Sequence, residues 1–206
     1  MVAGAKLKGT ETPEKLIKQM ADYSRAGDST NLLNCFDTST KVHEIGAKSF
    51  AISIEIVKAK ADLRDALVKK FGAEEVAALK ANYLPTEGED PLKKLGDSFQ
   101  NPTVTVEGDT AKATFGGDSE VPLRMEKKNN RWLLVRELQG MAVEDEEEAF
   151  DRMEANRYYV LGLRDALKAV PNIKTVKDVD KQITSAINQQ IGTYLSRPAP
   201  EPESKK

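Results

Sequence analysis

The sequence predicts an α+β fold, in which N-terminal helices are followed by an antiparallel sheet and then by two further helices. Two changes of period predict this. From Thr12 to about residue 84, apolar side chains recur every three or four positions, as on a helix with one buried face, and they do so again beyond residue 144. Between these segments, from about residue 102 to 138, apolar and polar residues alternate, as on half-buried strands. A chain of 206 residues with a single cysteine, Cys35, can form no internal disulfide and must rely on its core, which at this size can bury about 70% of the unfolded surface.

"TPEKLIKQMADYSRAGD" offers Thr12 as N-cap and Pro13 at the first helical position, places Leu16, Ile17, Met20 and Tyr23 on one face, and stops at Gly27. Asp28 then caps a second helix, "STNLLNCF", with Leu32, Leu33 and Phe36 turned inward. From about Ala47 to Phe71 a broad apolar stripe (Phe50, Ile54, Val57, Ala61, with Ile56, Leu63 and Leu67 beside it) predicts a helix with more than one neighbour, ended by Gly72. "AEEVAALKANYL" reads as a further helix up to Pro85, and "PTEGEDP" as a loop.

Val104 and Val106, then Ala111, Ala113 and Phe115, then Val121, Leu123 and Met125, then "RWLLVREL" give four strands in a meander. Gly108-Asp109 is a two-residue hairpin turn of the primed kind, and "GGDS" (116–119) and "KKNN" (127–130) are the other two connections. The last strand carries Trp132 and Leu134 on one face and Leu133 and Val135 on the other, so it is expected to be central or covered. "EDEEEAFDRMEANRYYVLGLRDALKAV" is a helix with its acids in the first turn, where the helix dipole favours them. Val176, Val179, Ile183, Ile187, Ile191 and Tyr194 then mark a final amphipathic helix.

Composition excludes several classes of function. With 31 Lys+Arg against 33 Asp+Glu there is no net field to attract a polyphosphate, so nucleic acid is not an expected partner. No window approaches the run of about 20 apolar residues that a spanning helix needs. No metal-ligand spacing and no phosphate-cradling loop occur, so neither metal nor cofactor is expected. The acidic runs "EGED" and "EDEEE" could gather a cation weakly, but read first as a solvated loop and a first helical turn.

The "RAGD" end of the first helix, the short "STNLLNCF", and the run "VTVEGDTAKATF…PLRMEKKNNRWLLV" together resemble the NTF2-like (SnoaL-type) superfamily over residues 12–138. The resemblance implies a cone-shaped sheet wrapped around helices, often with a pocket between them. "ALVKKFG" and the trailing helix pair are similar to uncharacterised exported bacterial proteins, which implies a periplasmic location with a leader removed, in preference to the cytoplasm. The organisation expected is a flexible N-terminus (1–11), the α+β domain (12–138), a C-terminal helical pair packed on that domain (139–196) and a disordered, proline-rich tail (197–206).

His43, the sole histidine, lies in "TKVHEIG" close to Asp37 and Glu44. An imidazole suits acid/base work near neutral pH, and the resemblance implies that a His with an Asp could serve a pocket enzyme; the plainer expectation is a histidine at a helix start touching solvent. Cys35 has apolar neighbours and reads as a buried small hydrophobe. Trp132, Phe115, Met125 and Val106 are the residues that would line a pocket on the inner face of the sheet. Polar groups are spread over turns and surfaces, whereas an active site needs several that converge, so the preferred function is a non-catalytic binding or structural module with a protein or a small hydrophobic molecule as partner. The alternatives are an isomerase- or dehydratase-type enzyme using His43 and Asp37, and a passive carrier. NTF2-like domains also dimerise through the outer sheet face; here Thr103, Thr105, Lys112 and Thr114 make that face polar, which permits a homodimer without requiring one.

Overall fold

The computed structural model describes residues 10–79, 81–85, 90–115, 122–136 and 146–198. Helix α1 (Pro13–Ala26) starts as its sequence requires: the Thr12 hydroxyl accepts from the Lys15 amide at 3.3 Å, Pro13 fills the first turn and Gly27 closes the helix in the left-handed region. Asp28 caps α2 (Ser29–Leu33) through the Asn31 amide at 3.0 Å. α2 is shorter than expected. Phe36 has left the helix to form a parallel bridge with Leu134, in which Leu134 donates to the Cys35 carbonyl and Asp37 to the Leu134 carbonyl, both at 2.8 Å.

Helix α3 (Lys41–Phe71) is 31 residues long, about 45 Å, and begins six residues before the apolar stripe does, because Thr40 caps it through the His43 amide. The helix expected over "AEEVAALKANYL" is only the five-residue α4 (Ala73–Ala77). Beyond it the chain turns and buries Tyr83, which outweighs the helical propensity of the segment. Within the loop assigned to "PTEGEDP", residues 86–89 lie outside the described residues, and Asp90 caps a helix the sequence reading missed, α5 (Pro91–Asp97), which packs on α1. "DP" before "LKKL" was the signal for it.

The sheet lies in the middle of the chain and is an antiparallel meander of β1 (Thr103–Glu107), β2 (Thr110–Thr114), β3 (Leu123–Lys128) and β4 (Arg131–Val135), in that order. Gly108 takes φ +61° in the first hairpin, and Asn129 and Asn130, at +50° and +61°, form the last. The "GGDS" connection lies outside the described residues. β4 is outermost in the sheet order, yet Trp132 to Val135 are all buried, and its free edge is occupied by the bridges from Thr10 to Trp132 and from Phe36 to Leu134. Two segments from the start of the chain thereby satisfy backbone groups that an open edge would leave unpaired.

Two apolar cores share α3. Its first half contributes Ala47 and Ile54 to a core with α1, α2 and the sheet. Its second half contributes Ala59, Leu63 and Leu67 to a core with α6 (Glu146–Ala169) and α7 (Val179–Leu195). α6 runs parallel to α3: Lys41 pairs with Glu146 at 2.9 Å, Ile45 clusters with Ala149 and Met153, and Lys70 donates to the Val170 and Pro171 carbonyls at 2.8 and 2.7 Å. That last contact sets a cation at the negative end of the α6 dipole. α7 returns antiparallel, with the Tyr194 hydroxyl donating to the Asp151 carbonyl at 3.1 Å. Between α6 and α7, a Cβ on Gly162 would lie 2.7 Å from Ile187 Cα, so only glycine fits.

Candidate functional site

The inner face of the sheet is occupied by side chains. Trp132 is 4% exposed and Met125 1%, and both pack with Leu134, Ala111 and Ala113 against Leu16, Ile17 and Met20 of α1. Phe115 is half-buried at the end of a chain of edge-to-face rings running Phe36, Phe50, Phe99, Phe115, with centroids 5.7, 6.3 and 5.7 Å apart. Val106 does not join them. It shares the inward side with Val104, but sits near the tip of the edge hairpin beyond the helical cover and is 50% exposed. Alternation fixes which side a residue faces, not how far the cover extends.

His43 and Asp37 do come together. His43 Nδ1 lies 3.1 Å from Asp37 Oδ2, and because a carboxylate only accepts, Nδ1 carries the proton. The same Oδ2 accepts from Lys128 Nζ at 2.6 Å and from the Ser39 hydroxyl at 3.0 Å, and Oδ1 accepts from the Ser39 amide at 3.1 Å. Local sequence arranges most of this: Asp37 follows the bridge to β4, Ser39 folds back on it, and Thr40 starts α3 so that His43 stands one turn in. Only Lys128 comes from afar, at the end of β3. Burial works against the charged form of Asp37, but the hydrogen bonds from Lys128, Ser39 and His43 outweigh it and hold the carboxyl below its usual range. A carboxylate bound from four directions ties the start of α3 to the sheet.

Asp37→Asn is therefore expected to lower stability by about 1–3 kcal/mol at neutral pH. Since the native carboxyl titrates below the unfolded one, its contribution is complete above the unfolded pKa and disappears as pH falls through the native value. Urea unfolding of both proteins between neutral and acid pH should show the gap narrowing through the carboxylate range. A gap that is constant with pH would refute the role of the charge.

Cys35 is buried, and burial alone pushes its thiol up to about 12, which leaves it unreactive. Among the described residues no three His, Cys, Asp or Glu side chains gather as metal ligands. Most of "EGED" and the beginning of "EDEEE" lie outside the described residues, and Glu146 and Glu148 of the latter pair with Lys41 and Arg152.

Open space lies elsewhere. A cleft of about 430 Å³ between the segment after α4 and the start of α7 is lined by Leu79, Ala81, Asn82, Tyr83, Tyr159, Asp180, Thr184 and Ile187. The buried Tyr83 directs its hydroxyl to Asp180 Oδ1 at 3.3 Å; burial first, then the charge and hydrogen bond of Asp180, raise the phenol far above its ordinary pKa. At the margin, Lys60 Nζ donates to the Asn82 carbonyl at 2.7 Å and sits 5.8 Å from the centre of the Tyr159 ring. A shallower recess of about 710 Å³ adjoins it through Asp180 and Thr184 and carries Lys181, Ser185, Asn188 and Gln189. Neither space is lined by His43, Asp37 or any residue of the sheet. Tyr83 and Asp180 are 97 positions apart, and no local pattern could have joined them.

Compared with protein-family profiles, with curated proteins and with solved structures, the chain matches none.

Proposed function

We propose that this chain is a non-catalytic binding module, built on an NTF2-like sheet whose inner space is filled, and that it engages its ligand at the cleft beside α7. The observation that carries the reading is the occupation of the sheet's inner face by Trp132, Met125 and the chain of phenylalanine rings, where a carrier or a pocket enzyme needs a void. The acid/base pair that an enzyme would use is instead engaged with Lys128 and Ser39. The apolar stripe of α7, which could have offered a partner surface, is turned into the second core through Val179, Ile183 and Ile187. The cleft, by contrast, is open, with hydroxyl, amide and carboxylate groups around an apolar floor.

Trp132 is the only tryptophan and reports directly on the inner face. Titration of the native protein with an apolar probe such as 1-anilinonaphthalene-8-sulfonate is expected to leave Trp132 emission unchanged, with no saturable probe fluorescence. Saturable uptake that quenches Trp132 would replace this reading with the carrier.

A further inference from the structure

We propose that the cleft beside α7 takes a primary alkylammonium group, with Asp180 as its counter-ion. The inference rests on the binding-module reading and adds the class of ligand. Asp180 has one partner, the Tyr83 hydroxyl on Oδ1; among the described residues no lysine, arginine or histidine nitrogen pairs with it, and it borders both the cleft and the adjoining recess. A carboxylate whose one partner among the described residues is a phenol accepts hydrogen bonds and donates none, so it selects a donor cation over an anion.

The rest of the lining suits the same group. The Tyr159 ring lines the cleft, but its face already carries the Lys60 ammonium, 5.8 Å from its centre, so the incoming cation is held by Asp180 and the ring contributes apolar surface. Leu79 and Ile187 supply apolar surface for a short alkyl body, and about 430 Å³ accommodates a small molecule or the end of a longer one. Lys60 stands at the margin with its ammonium on the Asn82 carbonyl, so the amine is placed at Asp180 and away from that charge. Lys181 in the adjoining recess would repel a second positive charge, so a monoamine fits and a diamine does not.

The test is a titration of the full chain with n-butylammonium, followed by the amide NMR shifts of residues around Asp180 and Thr184, with n-butanol and butyrate as neutral and anionic counterparts. Saturable millimolar binding of the amine alone is expected. Asp180→Asn should weaken it roughly tenfold or more, since a charge-assisted hydrogen bond is lost. Both variants should keep the wild-type circular dichroism, because Asp180 and Thr184 are exposed. In the second, Thr184→Arg, a guanidinium one helical turn from Asp180 occupies the carboxylate and should abolish binding. Tighter binding of Nα-acetyl-lysine amide than of butylammonium would make the source of the ammonium a peptide; equal or weaker binding would make it a free amine. Equal shifts with butanol, or binding unchanged in Asp180→Asn, would overturn the proposal. Such a failure with Trp132 still closed to the apolar probe removes only the ligand class, whereas uptake of that probe removes the module reading itself.

Discussion

Replacing Trp132 with alanine is expected to destabilise the protein by about 3–5 kcal/mol, the range for deleting a large aromatic side chain from a packed core. The indole is almost fully enclosed on the inner face of β4, in one cluster with Leu134, Met125 and the α1 residues Leu16, Ile17 and Met20. These neighbours belong to a helix and a paired sheet, so they can close only partly over the space left, and the cavity adds to the lost transfer energy. The main-chain bond from the Trp132 amide to the Thr10 carbonyl, 3.2 Å, is untouched, so β4 should keep its edge partner and the loss should reflect packing. Urea unfolding followed by circular dichroism should show a lower midpoint with the same slope. A loss below about 1 kcal/mol would mean that the indole borders a void, and would favour the pocket readings over the filled one.

What the sequence made legible was local. Thr12 with Pro13, Asp28, Gly27 and Gly72 marked helix ends and Gly108 marked a hairpin, because caps and turns are chosen by the conformation of one or two residues; of the connection expected at "KKNN" only Asn129 and Asn130 form the turn, and Lys127 and Lys128 belong to β3. What escaped was set at a distance. Phe36 continued a helical pattern but was claimed by the edge of β4, and Tyr83 continued another but was drawn down beside α7. The start of α3 was placed late because its first turns, "KVHEIG", carry little apolar pattern, although Thr40 was there as a cap.

The same division runs through the sites. Asp37 and His43 lie six positions apart across a helix start, so their meeting could be anticipated, whereas Lys128 and the resulting engagement of the carboxylate could not. Nothing in the residues next to Asp180 sets it apart. Only the fold brings Tyr83 and Tyr159 to it. A cap is a property of a few neighbouring residues, and a cleft is a property of three segments that meet.

The length of α3 leads to the second large effect. Leu63→Ala is expected to cost about 2–5 kcal/mol, because its side chain is fully enclosed in the second core among Leu163, Val179 and Ile183. Leu63 belongs to the second core, yet it stands on the same helix as Ala47 and Ile54, which belong to the sheet's core. An uninterrupted helix cannot lose its second half without exposing carbonyls and apolar surface at the end of its first, so damage in one core should be felt in the other. The check uses two probes of one denaturation: Trp132 fluorescence reports the sheet core, and far-UV circular dichroism is dominated by the helices. If α3 couples the cores, both curves of the Leu63→Ala variant move together to the same lower midpoint. If the fluorescence midpoint stays at the wild-type value while the dichroism shifts, the helical layer unfolds by itself and α3 frays between the two cores.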